Sequence, residues 1–560
     1  MTELQTPPKL ARDTLRIVPL GGLGDVGRNM TAFEINGKIL LVDCGVLFPE
    51  EAQPGVDLIL PGLDFLSERL DDIVALALTH GHEDHIGAVP YLLRCRCDIP
   101  VYGSRLTLAF VEGKLKEHRL ARDAMLHTVT EGDRISLDEF ELEFFAVNHS
   151  IPDALAIGMR TVGGTVLHTG DYKMDQLPLD RRITDLRGFA RFSLEGVDLL
   201  MADSTNAEVP GFTAPEKNIE PALERVFATA GKKLVVACFA SHVHRVQQIM
   251  DLADAYDRKV AYIGRSMVKN MGIAHQLGFL GVPPGILIKL EDIDKYPDDR
   301  VVIISTGSQG EPLSALARIA RQEHPAIQVG DGDTVLLASS LIPGNENSVF
   351  GVINGLVGLG VNVVHKGNAF VHVSGHASAG ELLYTYNVVQ PRNAMPIHGE
   401  IRHLVANGKL AEATGIPAER VIVARDGAVV DLHDGVAQRV GQVEMPYIFV
   451  DGSTVGDVTE TSLSDRRILG EEGFISIVAA VRLSDKAIIS GPTLDARGFL
   501  EDPNVFDSVT EDVRKALIES LAEGNTDSHK LQQVIRRVVG RWVSRTYRSR
   551  PMIIPVVVTI

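Results

Sequence analysis

Short apolar runs bounded by polar turn residues dominate the first third of the chain. They lie at residues 15–20, 30–35 and 38–42, and Asn36-Gly37 between the last two is a strong hairpin signal. The glycine-rich segment 22–27 has the residue pattern of a dinucleotide-binding fingerprint. A predicted hairpin rather than a helix follows it, which argues against that function. Further strand-length runs follow at 73–78, 140–147, 164–167 and 197–202. The pattern predicts a strand-rich first domain.

After Pro215 the pattern changes to helix-like segments that alternate with apolar runs at 234–237, 260–263, 301–304 and 334–338. This alternation predicts βαβ units and a parallel sheet. Polar motifs like those of the first domain occur again near Val373 and Pro396. We therefore expect the second domain to be inserted into the first.

The last hundred residues have a third pattern. Strand runs at 475–481, 486–489 and 552–559 accompany amphipathic helical segments at 510–521 and 528–539, which predicts a small α+β domain. The whole chain is expected to divide into a flexible tail (1–13), a first domain in two parts (14–215 and 373–456), an inserted domain (216–372) and a terminal domain (457–560).

The composition agrees with a globular protein of several domains. A chain of 560 residues is too long for one core, and 45% apolar with 23% charged residues is ordinary for such proteins. The first dozen residues lack the apolar region of a secretory signal, and no run is long enough to span a bilayer. We interpret the four cysteines as free thiols of a reducing cytoplasm, because so few cannot form a disulfide framework.

The net charge of −18 argues at first against nucleic acid as a partner, since Lys and Arg drive phosphate binding. Net charge is a global sum, however, and a metal centre adds positive charge where a phosphate reacts. The stretch 536–550 is strongly basic against this acidic background. It fits either a solvated helix face or a contact with RNA or another subunit.

The segment His80-Gly81-His82-Glu83-Asp84-His85 is the most informative part of the chain. It places three imidazoles and two carboxylates directly after a predicted buried strand, where a glycine permits a sharp turn. Such side chains are costly to bury without partners, and they are the ligands that suit zinc and similar divalent ions. The segment predicts a metal site.

Four more residues of this character lie where predicted strands end: Asp43, His149, Asp171 and His398. Any one of them alone would be unremarkable. Together with the histidine-rich segment they supply enough ligands for two metal ions with one bridging carboxylate, as in two-metal hydrolytic sites.

These motifs resemble the successive motifs of the metallo-β-lactamase fold. Residues 202–206, 374–378 and 396–400 are similar to motifs of the β-CASP nuclease subgroup. Further segments resemble the bacterial ribonuclease J family over nearly the whole chain: residues 19–24, 48–50, 149–153, 264–267, 306–312, 342–345, 465–467 and 550–552. The resemblance implies an α/β chain with a metallo-β-lactamase αββα sandwich, an inserted β-CASP α/β domain and a small C-terminal α+β domain.

By matching position, the resemblance also implies a site with two Zn²⁺ ions, or Mn²⁺ or Mg²⁺ in the cell. One ion would be held by His80, His82 and His149, and the other by Asp84, His85 and His398, with Asp171 bridging. Asp43 would orient ligand imidazoles. Asp203 would orient the site, and His376 would contact the scissile phosphate or protonate the leaving oxygen.

A pocket for a 5′-terminal monophosphate is implied at Ala240, Ser241, His242, His372, Val373, Ser374, Gly375 and His376. The family often carries Asn where this chain has His242, and a histidine there could keep the hydrogen bond and add pH dependence. Some relatives also carry a structural Ca²⁺ near positions that match Pro54, Val56 and Asp451.

The activity implied is metal-dependent hydrolysis of RNA, chiefly as a 5′-to-3′ exonuclease on 5′-monophosphorylated RNA with endonuclease activity, in rRNA maturation and mRNA decay. A small-molecule metallo-hydrolase is the first alternative, and it would need neither the insertion nor His376. A β-CASP scaffold subunit that has lost its metals is the second, and it should lack ligands. The resemblance further implies a homodimer or homotetramer and partners in an RNA degradosome, without membrane contact.

Overall fold

The computed structural model describes residues 6–50, 52–311, 313–339, 345–500 and 503–560. Pro312 and residues 342–344 of the motifs named above lie outside them. The chain forms two compact units, one of residues up to Phe48 and Leu58–Ile448, the other of Pro49–Asp57 and Phe449–Ile560. The predicted fold class is confirmed, whereas the domain boundaries stay predictions.

Two sheets form the centre of the first unit. The larger has eight strands, in the spatial order Val436–Gln442, Ala428–His433, Leu15–Gly21, Met30–Ile35, Lys38–Val42, Ile73–Ala77, Pro100–Gly103 and Met125–Thr128. The smaller has six, in the order Asn393–Ile397, Leu199–Asp203, Gly164–His168, Leu155–Thr161, Phe140–Ala146 and Arg134–Leu137. The predicted hairpin is confirmed: Ile35 pairs with Lys38, and Asn36 and Gly37 have φ angles of 49° and 82°.

The two sheets bury a shared core, in which Phe33 and Leu40 of one meet Phe144 and Ile157 of the other. The outer face of the six-stranded sheet is covered by the helices Leu186–Ser193, Ala379–Val389 and Ile401–Ala413, through side chains such as Phe189. The helices Glu83–Ile86, Val89–Cys95 and Arg105–Glu117 accompany the eight-stranded sheet. Apolar side chains alternate in direction along each strand, so both faces of each sheet need cover, and the αββα sandwich provides it.

The inserted segment forms a five-stranded sheet that is parallel throughout, as its alternating pattern predicts. Its spatial order is Lys259–Ile263, Val301–Ser305, Leu234–Ala237, Thr334–Leu337 and Asn362–Val364. The accompanying helices are Glu220–Thr229, Val243–Ala255, Arg265–Gln276, Ala315–Ala320 and Glu346–Gly358. The carboxyl ends of parallel strands meet at one edge of such a sheet, which is where ligand sites of α/β domains form.

Shorter elements complete the first unit. The strands Leu23–Gly24 and Gly399–Glu400 pair in parallel, and Leu58–Leu60 is a further strand. Single 3₁₀ turns occupy Leu63–Leu66, Leu70–Asp72, Glu216–Ile219, Leu290–Lys295, Asp298–Arg300 and Ala418–Arg420.

The second unit contains a three-stranded sheet in the order Ala487–Arg497, Phe474–Arg482 and Met552–Thr559. The helices Asp507–Ala522 and Ser528–Thr546 cover one of its faces, and the helix Glu460–Glu471 precedes it. The strands Ile448–Asp451 and Thr454–Val455 form a hairpin, and Pro503–Phe506 is a 3₁₀ turn. The predicted α+β pattern holds, although its second strand reaches Arg497 rather than residue 489. Within the described residues, no helix is long and apolar enough to cross a bilayer.

Candidate metal centre and substrate pocket

The predicted metal ligands project from the ends of strands in both sheets of the sandwich. In the larger sheet, residues 79–85 follow the strand Ile73–Ala77 and Asp43 follows Lys38–Val42. In the smaller sheet, the loops after three strands carry His149, Asp171 and His398. Because these strand ends share one edge of the sandwich, side chains more than 300 residues apart in the chain meet there.

One carboxylate oxygen, Oδ2 of Asp171, lies at the centre of the cluster. Its distances to the Nε2 atoms of His398 and His85 are 3.0 and 3.2 Å. The Nε2 atoms of His149 and His80 lie 3.7 and 3.8 Å away. A carboxylate oxygen this close to four imidazole nitrogens has the position that a bridging ligand requires.

The first ligand group consists of His80, His82 and His149, whose coordinating nitrogens lie within 4.8 Å of one another. Nδ1 of His82 is 3.0 Å from Nε2 of His80 and 3.1 Å from Nε2 of His149. Two of the three residues are buried and the third is half-buried. Three converging imidazole nitrogens are the ligand set of many zinc sites, so these residues fit such an ion.

The second group consists of Asp84, His85, Asp171 and His398. Oδ2 of Asp84 is 3.5 Å from Nε2 of His85 and 3.6 Å from Nε2 of His398. With two imidazoles and two carboxylates, this group also suits a divalent ion. The structure thus brings together all seven residues predicted as ligands.

Hydrogen bonds to the opposite ring nitrogens fix which nitrogen of each ligand faces the cluster. Nδ1 of His85 donates to Asp43 over 2.8 Å, and Nδ1 of His80 donates to the hydroxyl of Thr79 over 3.0 Å. Nδ1 of His149 donates to the carbonyl oxygen of Gly375 over 2.7 Å. Each bond leaves Nε2 free to coordinate, which is how outer residues orient metal ligands.

Burial and neighbouring charges set the pKa values of the ligands. Burial holds the pKa of His80 and of His149 well below the ordinary value, and it lowers the pKa of His82 to about 4. Burial also acts to lower the pKa of His85, but the carboxylates of Asp171 and Asp84 outweigh it and raise that pKa well above its usual range. Three imidazoles are therefore neutral and ready to coordinate at neutral pH, while His85 must release a proton first.

The two predicted catalytic residues, Asp203 and His376, form a pair beside the ligands. Nδ1 of His376 donates to Oδ2 of Asp203 over 2.7 Å, and the ring of His376 lies 4.9 Å from that of His149 between centroids. Burial acts to lower the pKa of His376, but Asp203 outweighs it and raises that pKa to about 9. The imidazole is therefore protonated at neutral pH, with its Nε2–H not engaged by Asp203.

The predicted pocket residues lie in two loops, one of which carries His376 itself. Residues 240–242 lead from the strand Leu234–Ala237 into the helix Val243–Ala255, and residues 372–376 precede the helix Ala379–Val389. Both ring nitrogens of His242 and Nδ1 of His372 are buried without a hydrogen-bond partner. Burial, helped by the positive charge of Arg245, keeps the pKa of both imidazoles well below the usual value. Buried polar atoms normally have partners, so these nitrogens point to a ligand.

Comparisons with known proteins match this arrangement along the chain. The metallo-beta-lactamase superfamily model matches residues 23–187, and the Zn-dependent metallo-hydrolase RNA specificity domain matches residues 360–422. The models of the ribonuclease J beta-CASP domain and of the ribonuclease J C-terminal domain match residues 231–356 and 461–560.

Relatives named ribonuclease J align with the full chain. The protein of Mycolicibacterium smegmatis is 50% identical, and the alignment covers 100% of both chains. The chain belongs to the ribonuclease J family. The protein of Thermus thermophilus is 41% identical over 98% of this chain and 96% of its own. Membership of this family places the chain among metal-dependent hydrolases that act on RNA.

One solved structure supports the fold alone. A protein of unknown function from Enterococcus faecalis V583 superposes with a TM-score of 0.52 at 16% identity, and it covers 75% of this chain and 100% of its own.

Several residues that contact the candidate metal ligands or Asp43 in this member of the ribonuclease J family were not predicted from the sequence. Thr79 donates to Asp43 through both its backbone N–H and its hydroxyl, and the side-chain amide of Asn29 lies 3.2 Å from Nε2 of His85. A Cβ atom on Gly45 would lie 1.6 Å from the carbonyl oxygen of Asp84, so only glycine permits this close approach. Thr79 adjoins the histidine-rich segment, which is a usable signal, whereas Asn29 and Gly45 are distant in sequence.

Glu83 is the one carboxylate of the histidine-rich segment that the resemblance leaves without a ligand role. Its side chain is exposed and forms an ion pair with Lys114.

At two of the three predicted calcium positions, Pro54 and Asp451, the oxygens already bind a cationic side chain of the protein. In the second unit, the guanidinium of Arg466 donates to the Pro54 carbonyl oxygen over 3.1 Å and to the Asp451 carboxylate over 2.5 Å. A calcium ion at Pro54, Val56 and Asp451 would compete with Arg466 for two of its ligands. Calcium binding stays a prediction.

Proposed function

We propose that this protein degrades RNA chiefly as a 5′-to-3′ exonuclease on 5′-monophosphorylated substrates, with endonuclease activity at the same centre. The hydrogen bond from His149 to the carbonyl oxygen of Gly375 carries this proposal. It joins a metal ligand directly to the loop assigned to the 5′-phosphate. A terminal phosphate held by that loop therefore lies close to the centre that cleaves, as the release of short products from the 5′ end requires.

His80, His82 and His149 would hold one divalent ion, and Asp84, His85 and His398 the other, with Asp171 between them. When bound, such ions neutralise the charge that develops on the phosphoryl oxygens and make a water molecule acidic enough to serve as a nucleophile near neutral pH. We propose Zn²⁺ on the basis of the nitrogen-rich ligand set, with Mn²⁺ or Mg²⁺ as alternatives in the cell.

We propose that His376 acts on the substrate itself. Its raised pKa keeps Nε2 protonated, so it can donate a hydrogen bond to the scissile phosphate and then pass the proton to the departing 3′-oxygen. Asp203 holds the ring by Nδ1 and stabilises its positive charge. The products are a 5′-phosphorylated nucleotide and an RNA shortened at its 5′ end, or two fragments after internal cleavage.

The loops 240–242 and 372–376 would recognise the 5′-monophosphate. The hydroxyls of Ser241 and Ser374 and the backbone N–H groups around Gly375 are donors of the type that cradles anions. The unpartnered nitrogens of His242 and His372 would supply further hydrogen bonds. A triphosphate is larger and more highly charged, which supports a preference for the monophosphate.

Two rival functions have less support. A small-molecule metallo-hydrolase needs no inserted five-stranded sheet, yet this chain has one. A scaffold subunit without metals has no need of a complete ligand set, and here all seven residues converge.

The test compares 5′-monophosphorylated, 5′-triphosphorylated and circular RNA, each internally labelled and incubated with zinc- or manganese-loaded protein. We expect 5′ nucleotides from the monophosphorylated RNA and slow internal cuts in the circular RNA. His85→Ala should abolish both reactions, and His376→Ala should slow both on the order of 10²- to 10⁴-fold. His529→Ala, at an exposed position on a helix of the second unit, should leave them unchanged. No product with the metal-loaded wild type would refute nuclease function, and equal rates on mono- and triphosphorylated RNA would refute the pocket.

The biological setting is part of the proposal. The family resemblance supports roles in rRNA maturation and mRNA decay, in a homodimer or homotetramer that works with RNA degradosome components. All four cysteines are free thiols, with Cys95 and Cys97 exposed, which supports a reducing cytoplasm.

A further inference from the structure

Among the residues that the structure describes, Arg245 is the largest completely buried side chain, at 0% exposure. It lies in the first turn of the helix Val243–Ala255, directly after the pocket loop 240–242. Its Nε and Nη2 atoms donate to the two carboxylate oxygens of Glu216 over 2.7 and 3.2 Å. Burying a charge is costly unless it is paired and fully hydrogen-bonded, so this pair needs a reason beyond stability.

The remaining donor of Arg245 faces main chain rather than side chains. Nη1 donates to the carbonyl oxygens of Ala338 and Val371 over 2.6 and 3.0 Å. Ala338 follows the strand Thr334–Leu337, and Val371 immediately precedes the second pocket loop, 372–376. The helix that carries Arg245 directly follows the loop 240–242, and the guanidinium therefore ties this helix to Val371, the residue directly before the loop that carries His376.

Glu216, the anchor of Arg245, is itself fixed to the metallo-β-lactamase sandwich. Its backbone N–H donates to the carboxylate of Asp175 over 2.9 Å, and Asp175 lies four residues after Asp171. The same carboxylate of Asp175 is 3.3 Å from Nζ of the buried Lys173. A continuous polar path thus runs from the segment of the central metal ligand through Glu216 and Arg245 to Val371.

We infer that Arg245 is a positioning residue of the 5′-phosphate pocket. It fixes the position of the pocket relative to the metal centre and does not touch the substrate. This inference rests on the proposed function and names the group on which its end recognition depends. The planar fork of arginine can engage a carboxylate with two atoms and carbonyl oxygens with a third, whereas lysine offers a single point donor. Loss of Arg245 should displace the loops relative to each other, and His242 and His372 should then no longer converge on one phosphate.

The test replaces Arg245 in the full-length protein and uses Arg258 as a matched control. Arg258 is also buried, at 5% exposure, and also donates to two backbone carbonyl oxygens of the inserted domain, those of Lys232 and Ala230. Arg245→Met, Arg245→Lys, Glu216→Gln and Arg258→Met are compared by melting temperature. Their kinetics are measured on 5′-monophosphorylated RNA, on 5′-hydroxyl RNA and on bis(p-nitrophenyl) phosphate, a small diester that needs no end pocket.

For Arg245→Met we expect kcat/KM on monophosphorylated RNA to fall on the order of 10- to 100-fold, mainly through KM. Hydrolysis of bis(p-nitrophenyl) phosphate should persist, and the preference for a 5′-monophosphate over a 5′-hydroxyl should shrink. Arg245→Lys and Glu216→Gln should give intermediate preferences. Arg258→Met should keep the wild-type preference even though its melting temperature falls about as much as that of Arg245→Met.

A preference unchanged in all Arg245 and Glu216 variants would overturn the inference, as would a proportional loss on all three substrates. If Arg245→Met does not fold, Arg245→Lys and Glu216→Gln are judged by the same preference for a 5′-monophosphate over a 5′-hydroxyl. If the wild type shows no preference between the RNA ends, the proposed pocket itself is refuted. If the wild type shows a preference that the Arg245 variants keep, only the role of Arg245 is refuted.

Discussion

Nδ1 of His376 donates a hydrogen bond to Oδ2 of Asp203 over 2.7 Å, although the two residues are 173 positions apart in the chain. The carbonyl oxygen of His376 also accepts hydrogen bonds from Thr213 and Asn206, in the segment that follows Asp203. The ring and its backbone are thus fixed by one loop. A side chain restrained on both sides beside the cluster of candidate metal ligands has the arrangement that the proposed catalytic acid requires.

The first prediction concerns the acid role of this pair. Because the pKa of His376 is raised to about 9 by Asp203, activity should fall as the pH rises through that range and the ring loses its proton. Asp203→Asn should move the alkaline limb of the kcat profile to lower pH, and His376→Ala should lower kcat on the order of 10²- to 10⁴-fold. The measurement is single-turnover cleavage between pH 6 and 10. An alkaline limb that stays in place in Asp203→Asn would contradict the assignment, provided that metal content is unchanged.

The second prediction separates the two ligand groups. Asp171 faces both groups, whereas His82 belongs to one. Asp171→Asn should therefore reduce the binding of both ions, and His82→Ala should leave close to one ion per chain. Elemental analysis of dialysed protein gives the stoichiometry, with His529→Ala as the control that retains the wild-type value. Equal losses in the two variants would argue against a bridging role for Asp171.

The third prediction concerns protons released on metal binding. In the metal-free protein the pKa of His85 is raised well above its usual range by Asp171 and Asp84, so His85 carries a proton at neutral pH. This raised pKa stabilises the metal-free fold fully below the unfolded-state pKa, and the contribution is lost as the pH rises through the folded-state pKa. A metal ion needs the unprotonated nitrogen, so apparent zinc affinity should increase with pH across the neutral range.

Calorimetry in buffers of different ionisation enthalpy counts these protons. Asp43→Asn removes a further carboxylate that raises the pKa of His85, so this variant should release fewer protons than the wild type. A zinc affinity that does not change between pH 6 and 8 would contradict the expected competition.

The fourth prediction concerns the oxygens of Pro54 and Asp451. Because Arg466 donates to both, added Ca²⁺ should raise the melting temperature of Arg466→Gln more than that of the wild type. Thermal unfolding with calcium or with a chelator measures this difference. A calcium response in the wild type as large as in the variant would mean that the ion binds without displacing Arg466.

Local sequence patterns predicted most of the architecture. The run 30–35, the hairpin at Asn36-Gly37 and the strand 38–42 appear with the same bounds in the structure, because strand period and turn chemistry act over a few residues. The strand that begins at Ala487 was predicted too short, since its later residues include Gly491 and Pro492, which are turn signals by themselves. Pairing with the strand Phe474–Arg482 outweighs that local preference.

The metal ligands could be found in the sequence because imidazoles and carboxylates are scarce at the ends of buried strands unless they have a task. The grouping of these ligands was implied by the family resemblance alone. That one oxygen of Asp171 lies 3.2 Å from His85 and 3.7 Å from His149 depends on how two sheets pack, and no local pattern encodes that packing.

The amino-acid sequence by itself determined the strand-rich first domain, the inserted parallel domain and the candidate residues for a metal site, and the family resemblance narrowed these to seven. Only the tertiary structure decided that Gly375 accepts from His149, that Arg245 donates to Val371 beside the second pocket loop, and that Arg466 contacts the oxygens of Pro54 and Asp451. The reason is physical. Chain-local preferences come from backbone sterics and periodicity, whereas these contacts form between segments that only the burial of distant apolar faces brings together.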